Sequence, residues 1–223
     1  MDRCKIMGIV NVTPDSFYSG SRYNVEKYLL QKVEEMIGDG ADIIDIGGVS
    51  TRPGSAIVSA AEEEQRVIPA VKSIKKHFPR IEISVDTFRA VIADKACDEG
   101  CKIINDISGG IDKNLFHIVA KHKAQYVLMH YYGDEQGRMQ EHHYTDIISE
   151  MMEYFTTKIS ELKSVRVEDI IIDPGFGFSK TIEENYCVLN QLSKFKEFGY
   201  PILAGLSRKS MIYKLLNITP EES

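Results

Sequence analysis

The sequence predicts an α/β protein whose parallel strands close into a barrel, and three observations point there. Short Ile/Val-rich runs alternate with longer helix-like segments along the whole chain. Runs such as ADIID at 41–45 and DIIID at 169–173 are apolar without alternation, which suits strands covered on both faces rather than an antiparallel sheet with one wet face. Chemistry-bearing side chains recur where those runs end.

Strands are predicted over 5–11 (KIMGIVN), 41–48 (ADIIDIGG), 80–86 (RIEISVD), 102–110 (KIINDISGG), 125–130 (QYVLMH), 169–177 (DIIIDPGFG) and 200–207 (YPILAGLS). Helices are predicted between them over 25–39, 60–76, 89–98, 113–122, 145–163 and 182–197. Seven strands separated by six helices give the alternation of a parallel α/β fold. Asn11, Asp45, Asp86, Asn105 with Asp106, His130 and Asp173 fall near the ends of successive strands, and Lys209 follows the seventh. A barrel brings all such ends to one mouth, whereas an open sheet gathers a few at a switch point, so the barrel is favoured.

Composition bounds the function. With 223 residues, 43% of them hydrophobic, the chain can bury a sizeable core as a single domain over 1–223. A net charge of −6 argues against a general nucleic-acid surface, though not against a small anion held by local cations. Cysteines at 4, 97, 101 and 187 have neither zinc-site nor secreted-protein spacing and read as free thiols. The apolar run in MDRCKIMGIV is too short for a signal peptide or a membrane span, and the expectation is a cytoplasmic protein.

A single Asp before a helix is more often an N-cap than a catalyst, so setting decides. Asp45 lies within the strand run IIDIGG, where a charge needs a partner, and Asp106 reads as a turn or cap residue beside Asn105. Asn11 opens NVTPDSF, and its amide oxygen suits magnesium or a polar ligand. The loop GGVSTRPGSA at 47–56 combines glycines that allow close backbone approach with the Thr51 hydroxyl and the Arg52 guanidinium, a set able to clamp phosphate oxygens. A second anion-binding loop is GLSRKSM at 205–211, which sets Arg208 and Lys209 at a helix start. In DPGFGFSKT at 173–181, Pro174, Gly175 and Gly177 shape a tight loop that holds Asp173 in one direction. An ionised Asp accepts hydrogen bonds, an Asn accepts and donates, and a Lys donates. Asp86, Asn105, Asp173 and Lys209 therefore match the polar edge of a flat heterocycle, a pterin or a purine. His142 and His143 read as solvated loop residues, since adjacent side chains rarely complete a metal site.

Together these stretches resemble the dihydropteroate synthase family. The matching segments are MGIVNVTPDSF at 7–17, DIIDIGGVSTRPG at 42–54, ISVDTF at 83–88, IINDISGG at 103–110, VLMHYYG at 127–133, IIIDPGFGFSKT at 170–181 and GLSRKSMI at 205–212, in family order over essentially the whole chain. The resemblance implies a TIM-type (β/α)8 barrel of which this chain carries seven strands. The eighth β/α unit, with the Arg-x-His pair that the family places there, is missing after SMIYKLLNITPEES. It implies a transferase of folate biosynthesis that joins 6-hydroxymethyl-7,8-dihydropterin diphosphate to 4-aminobenzoate, giving 7,8-dihydropteroate and diphosphate with the help of Mg2+. By the same resemblance Asn11 is a metal ligand, Thr51 and Arg52 contact the diphosphate, and Asp86, Asn105, Asp173 and Lys209 bind the pterin. Lys209 and Ser210 also lie by the aminobenzoate, and Asp86, Lys209 and Arg52 form the catalytic group. The implied assembly is a homodimer without nucleic-acid or membrane partners. A pterin-binding methyltransferase barrel would share the deep Asp and Asn residues but has no use for STRPG or SRKS on an anionic leaving group. A non-catalytic pterin-binding protein, which keeps the ligand set while losing turnover, is an alternative to which the missing Arg-x-His pair gives standing, and a truncated product that does not fold alone is a third.

The STRPG loop generates the first prediction. Arg52→Ala weakens binding of the diphosphate-bearing pterin far more than binding of free 6-hydroxymethyl-7,8-dihydropterin, because the fixed-charge fork has no partner on the latter. Paired calorimetric titrations check this, and equal losses would place Arg52 in loop structure instead.

Overall fold

The computed structural model describes residues 3–12, 22–49, 58–133, 140 and 142–223. Strands and helices alternate among them as β1 (Met7–Asn11), α1 (Arg22–Gly38), β2 (Ile43–Gly47), α2 (Ala60–His77), β3 (Glu82–Asp86), α3 (Ala90–Asp98), β4 (Ile103–Asp106), α4 (Asn114–His122), β5 (Gln125–Met129), α5 (Ile147–Ser164), β6 (Ile170–Asp173), α6 (Ile182–Asn190) and α7 (Ser210–Leu216). The chain forms two compact units, one of residues 1–105 and 114–125, the other of residues 106–113 and 126–223. No helix among the described residues is long and apolar enough to cross a membrane.

In the first unit, neighbouring strands pair in parallel and in register, so residues opposite one another point to the same face. Val10, Ile46, Val85 and Ile104 make one such row, and all four are fully buried. They supply an apolar face for the amphipathic helices, from which α2 contributes Val67, Val71 and Ile74. Burying each such side chain stabilises by about 1.5–3 kcal/mol. Local signals set the helix starts: Ser59 caps α2 by accepting from the Glu62 N–H at 3.2 Å.

In the second unit, β5 and β6 pair in parallel from Tyr126↔Ile170 to Met129↔Asp173. Asp146 caps α5, and Thr181 with Glu184 forms a capping box at the start of α6. Asp106, fully buried, accepts from the Ser108 N–H and hydroxyl, the Gly110 N–H and the Tyr126 hydroxyl. It is the turn residue that its sequence setting suggests.

Three expectations change. The seventh strand, expected over 200–207, is a single parallel bridge between Ile202 and Ile172, made by Ile172 N–H to Pro201 O and Leu203 N–H to Ile172 O, both 2.9 Å. Pro201 has no N–H to extend the ladder toward Ile170, and Pro174 has none to extend it past Leu203, so pairing stops at one residue. The helix expected over 182–197 ends at Asn190, and a 3-10 helix follows over Leu192–Phe198. Leu192, Phe195 and Phe198 recur every three residues, the 3-10 period, and Phe195 and Phe198 pack on Phe155 with ring centroids 5.7 and 5.9 Å away. His142 is not a solvated loop residue: it stacks on Tyr132 at 4.0 Å between centroids and hydrogen-bonds Glu150 at 3.2 Å. Its neighbour His143 is exposed, as expected.

Tyr126→Phe removes a 2.6 Å hydrogen bond to the buried Asp106 carboxylate without changing shape. The variant loses about 1–3 kcal/mol of unfolding free energy, the cost of leaving a buried acceptor without one donor. Urea denaturation checks this, and a wild-type midpoint with an unchanged slope would show that the remaining donors suffice.

Candidate functional site

The register of the first unit builds its polar face. Asn11, Gly47, Asp86 and Asn105 occupy one row across the ends of β1 to β4, and Ile9, Asp45, Ser84 and Ile103 occupy the row beneath on the same face. Gly47 keeps the upper row open: a Cβ there would sit 2.9 Å from Asn11 Oδ1 and 3.7 Å from Asp86 Oδ2. An amide oxygen and a carboxylate thus both border a position with no side chain. Asn11 is exposed, while Asp86 and Asn105 are half-buried.

Asp45 has the partner its position demands. Asn105 Nδ2 donates to Asp45 Oδ2 at 3.0 Å, which orients the amide and leaves Asn105 Oδ1 on the opposite side as an acceptor. Asp45 Oδ1 and the Ser84 hydroxyl are both buried and, among the described residues, neither has a partner at full hydrogen-bond geometry, although Ser84 lies beside the carboxylate. Burial holds the Asp45 carboxyl above the usual range, and the neighbouring Ser84 and Asn105 side chains offset part of that shift. Asp45 acts from beneath the row by holding Asn105.

Behind the row lies a network that sequence reading missed. Glu63 of α2 is 1% exposed and accepts from the Thr87 hydroxyl at 2.6 Å and from Arg89. In sequence Glu63 is the middle of a Glu-Glu-Glu run that reads as a solvated helix face, so only packing reveals it.

The second unit assembles Asp173, Lys180 and Lys209. Asp173 ends β6 and accepts from the Gly175 N–H at 2.8 Å. Gly175 has φ +68°, and a Cβ there would collide with the His130 carbonyl oxygen, so the loop needs glycine at this point. Burial raises the Asp173 pKa to about 6, against the lowering effect of the Gly175 N–H, Lys209 and Lys180. Lys180 donates to the carbonyls of Gly175 and Phe178, each at 3.1 Å, and burial lowers its pKa to about 7. The Lys209 ammonium lies 4.2 Å above the centre of the Phe178 ring; burial lowers its pKa and Asp173 partly restores it. Ser210, half-buried, is the first residue of α7. His130 is buried, its Nδ1 has no hydrogen-bond partner among the described residues, and burial drives its pKa down to about 2, so the imidazole is neutral. Lys180 was not singled out from sequence; its signal was the Lys closing the loop before the capping Thr181. Thr51 and Arg52 lie outside the described residues.

The folded-state pKa of Asp173, about 6, lies above the 3.8 of an ordinary Asp carboxyl, so the folded protein holds this proton more tightly than the unfolded chain. The resulting stabilisation is fully present below the unfolded pKa and is lost as pH rises through about 6. Relative to Asp173→Asn, the wild type therefore loses about 2–3 kcal/mol of stability between pH 4 and 6.5. Urea melts of both proteins across that range check the sign, and a constant difference would show that Asp173 titrates normally.

Comparison with known proteins places these features in a family. Residues 7–222 match the family described as pterin binding enzyme. The chain is 45% identical over 223 residues to the dihydropteroate synthase of Clostridium beijerinckii, covering 99% of this chain and 80% of the relative. It is 44% identical over 222 residues to that of Bacillus subtilis, covering 99% and 76%. Among solved structures, dihydropteroate synthase from Clostridium difficile in the presence of pteroic acid superposes with a TM-score of 0.91 at 40% identity, over 99% of this chain and 82% of that one. The Xanthomonas albilineans enzyme with 4-aminobenzoic acid does so with a TM-score of 0.91 at 36% identity, over 99% and 80%. With its strand-end polar row and its buried Asp and Lys loops carried on that shared sequence, the chain belongs to the pterin-binding enzyme family, among the dihydropteroate synthases.

Proposed function

We propose that the protein condenses 6-hydroxymethyl-7,8-dihydropterin diphosphate with 4-aminobenzoate to give 7,8-dihydropteroate and diphosphate. The observation that carries this reading is the row of Asn11, Asp86 and Asn105 over the open position at Gly47, in a chain of this family. The proposed fold is the family's TIM-type (β/α)8 barrel without its eighth β/α unit, as a single pterin-binding domain, in the cytoplasm, that would pair as a homodimer at full length. Cys4, Cys97, Cys101 and Cys187 are free thiols, which suits a reducing compartment.

In this reading the pterin's donor edge meets acceptors. By the family resemblance, Asp86 and Asn105 of the first unit are pterin contacts and so is Asp173 of the second: a carboxylate accepts from ring N–H or amino groups, and Asn105, whose Nδ2 donates to Asp45, has its amide oxygen as an acceptor. Asp173 is held by Gly175, and its carboxylate form dominates above pH 6. Lys209 donates to a pterin acceptor and, with Ser210, lies by the aminobenzoate. Thr51 and Arg52 hold the diphosphate. The aromatic amine then attacks the exocyclic methylene carbon as the carbon–oxygen bond to diphosphate breaks. Diphosphate leaves with the bonding electron pair, and the amine nitrogen gives up one proton. Positive charge developing on the pterin-methylene unit is favoured by the carboxylates of Asp86 and Asp173, and negative charge on the leaving group by Arg52. No protein nucleophile is needed.

The residues fit Mg2+. Asn11 Oδ1 and Asp86 Oδ2 flank Gly47, and oxygen donors of this kind suit a hard cation. Among the described residues no group of three His, Cys, Asp or Glu side chains could hold a metal. Magnesium often keeps waters and substrate phosphates as its other ligands, so a small protein share is in character. Asn11 would hold it, and when bound it would neutralise charge on the departing diphosphate.

The test is diphosphate release measured with both substrates and with each alone. Release that needs both, with dihydropteroate as product, supports the synthase; pterin binding without turnover would make this a non-catalytic pterin-binding protein. Asp173→Asn lowers affinity for the pterin diphosphate by about 1.5–3 kcal/mol, the scale of a hydrogen bond to a charged group. Unchanged calorimetric affinity in the folded variant would remove Asp173 from recognition.

A further inference from the structure

Thr87 follows Asp86 in the chain and is held from two directions. Its N–H donates to Asn105 O at the end of β4 at 3.0 Å, and its hydroxyl donates to Glu63 of α2 at 2.6 Å while accepting from the Arg89 N–H at 3.2 Å. Thr87 is 2% exposed and Glu63 1%. The other oxygen of Glu63 accepts from Arg89, whose second guanidinium nitrogen donates to Val58 O at 2.7 Å and whose carbon lies 4.6 Å over the Phe88 ring. A buried charge pair of this kind is a weak source of stability, because desolvation cancels much of its attraction. What it supplies is direction: the backbone leaving β3 cannot turn without breaking hydrogen bonds to both β4 and α2.

We propose that Thr87 and Glu63 are a positioning pair that aims the Asp86 carboxylate at the pterin ring and so sets selectivity for that substrate. The inference rests on Asp86 as a pterin contact. Neither residue touches substrate. Their effect runs through one bond of backbone, which separates it from a general brace of the fold. A brace would weaken the whole protein and both substrate sites alike, whereas a positioning pair acts on the pterin alone.

The test uses the 223-residue chain. Thr87→Val keeps the side-chain shape and removes the donated hydroxyl, and Thr87→Ser restores it. Calorimetry with 6-hydroxymethyl-7,8-dihydropterin diphosphate is expected to show affinity about tenfold weaker in Thr87→Val and within about threefold of wild type in Thr87→Ser. The KM for 4-aminobenzoate, at saturating pterin diphosphate, stays within about twofold in both. If Thr87→Val does not fold, Thr87→Ala carries the same comparison. Unchanged pterin affinity in the folded variant, or equal weakening for both substrates, overturns the inference. Asp86→Asn, titrated alongside, separates the two layers. If it weakens pterin binding while Thr87→Val does not, the positioning role falls alone; if it leaves binding unchanged, the reading of Asp86 falls and the inference with it.

Discussion

In-register parallel pairing of β1 through β4 is the constraint on which the rest of the first unit depends. Because opposed residues share a face, one register places Val10, Ile46, Val85 and Ile104 together in the core and, by the same alternation, lines up Asn11, Gly47, Asp86 and Asn105. A slip of one residue in any strand would turn that strand's polar residue toward the helices and its apolar residue to the polar face, breaking both rows. The core therefore fixes the candidate site through geometry: the apolar residues hold the register, and the register holds the polar row.

Buried charge is the second theme, and each case is stabilised locally. Asp106 is surrounded by donors from its own turn and from Tyr126, and Asp45 by one amide from Asn105. Glu63 is matched by Thr87 and Arg89. Asp173 and Lys180 are held differently, by backbone groups of the loop that separates them: Gly175 N–H for the acid, Gly175 O and Phe178 O for the amine. Burial raises the acid and lowers the amine, so their pKa values converge on about 6 and about 7.

The glycines show how the backbone makes room for this chemistry. At Gly47 the missing Cβ leaves room beside the Asn11 amide oxygen and the Asp86 carboxylate, and at Gly175 the positive φ lets the chain fold against the His130 carbonyl. Both follow strand ends whose apolar residues anchor them, so the freedom of glycine is used at a point where the neighbouring chain is rigid.

The sequence by itself determined the alternation of strands and helices, the polar endings at Asn11, Asp86, Asn105 and Asp173, and the turn role of Asp106. These follow from local rules of apolar run length, capping and glycine or proline punctuation, which act within a few residues. It also carried the family resemblance, because the loop stretches are contiguous. It misjudged 200–207, where Pro201 and Pro174 reduce a strand to one bridge, and 182–197, where a three-residue apolar spacing was read as a continuing α-helix. His142 was misread because its partners Tyr132 and Glu150 lie ten and eight residues away, beyond any local pattern. Only the tertiary structure decided that Asn105 pairs with Asp45 across 60 positions, that Glu63 in an acidic run is buried against Thr87, and that Lys180 closes the Asp173 loop. Each of these depends on which residues packing brings into contact and how far it removes them from water. Both are properties of the assembled chain, absent from any single stretch of it.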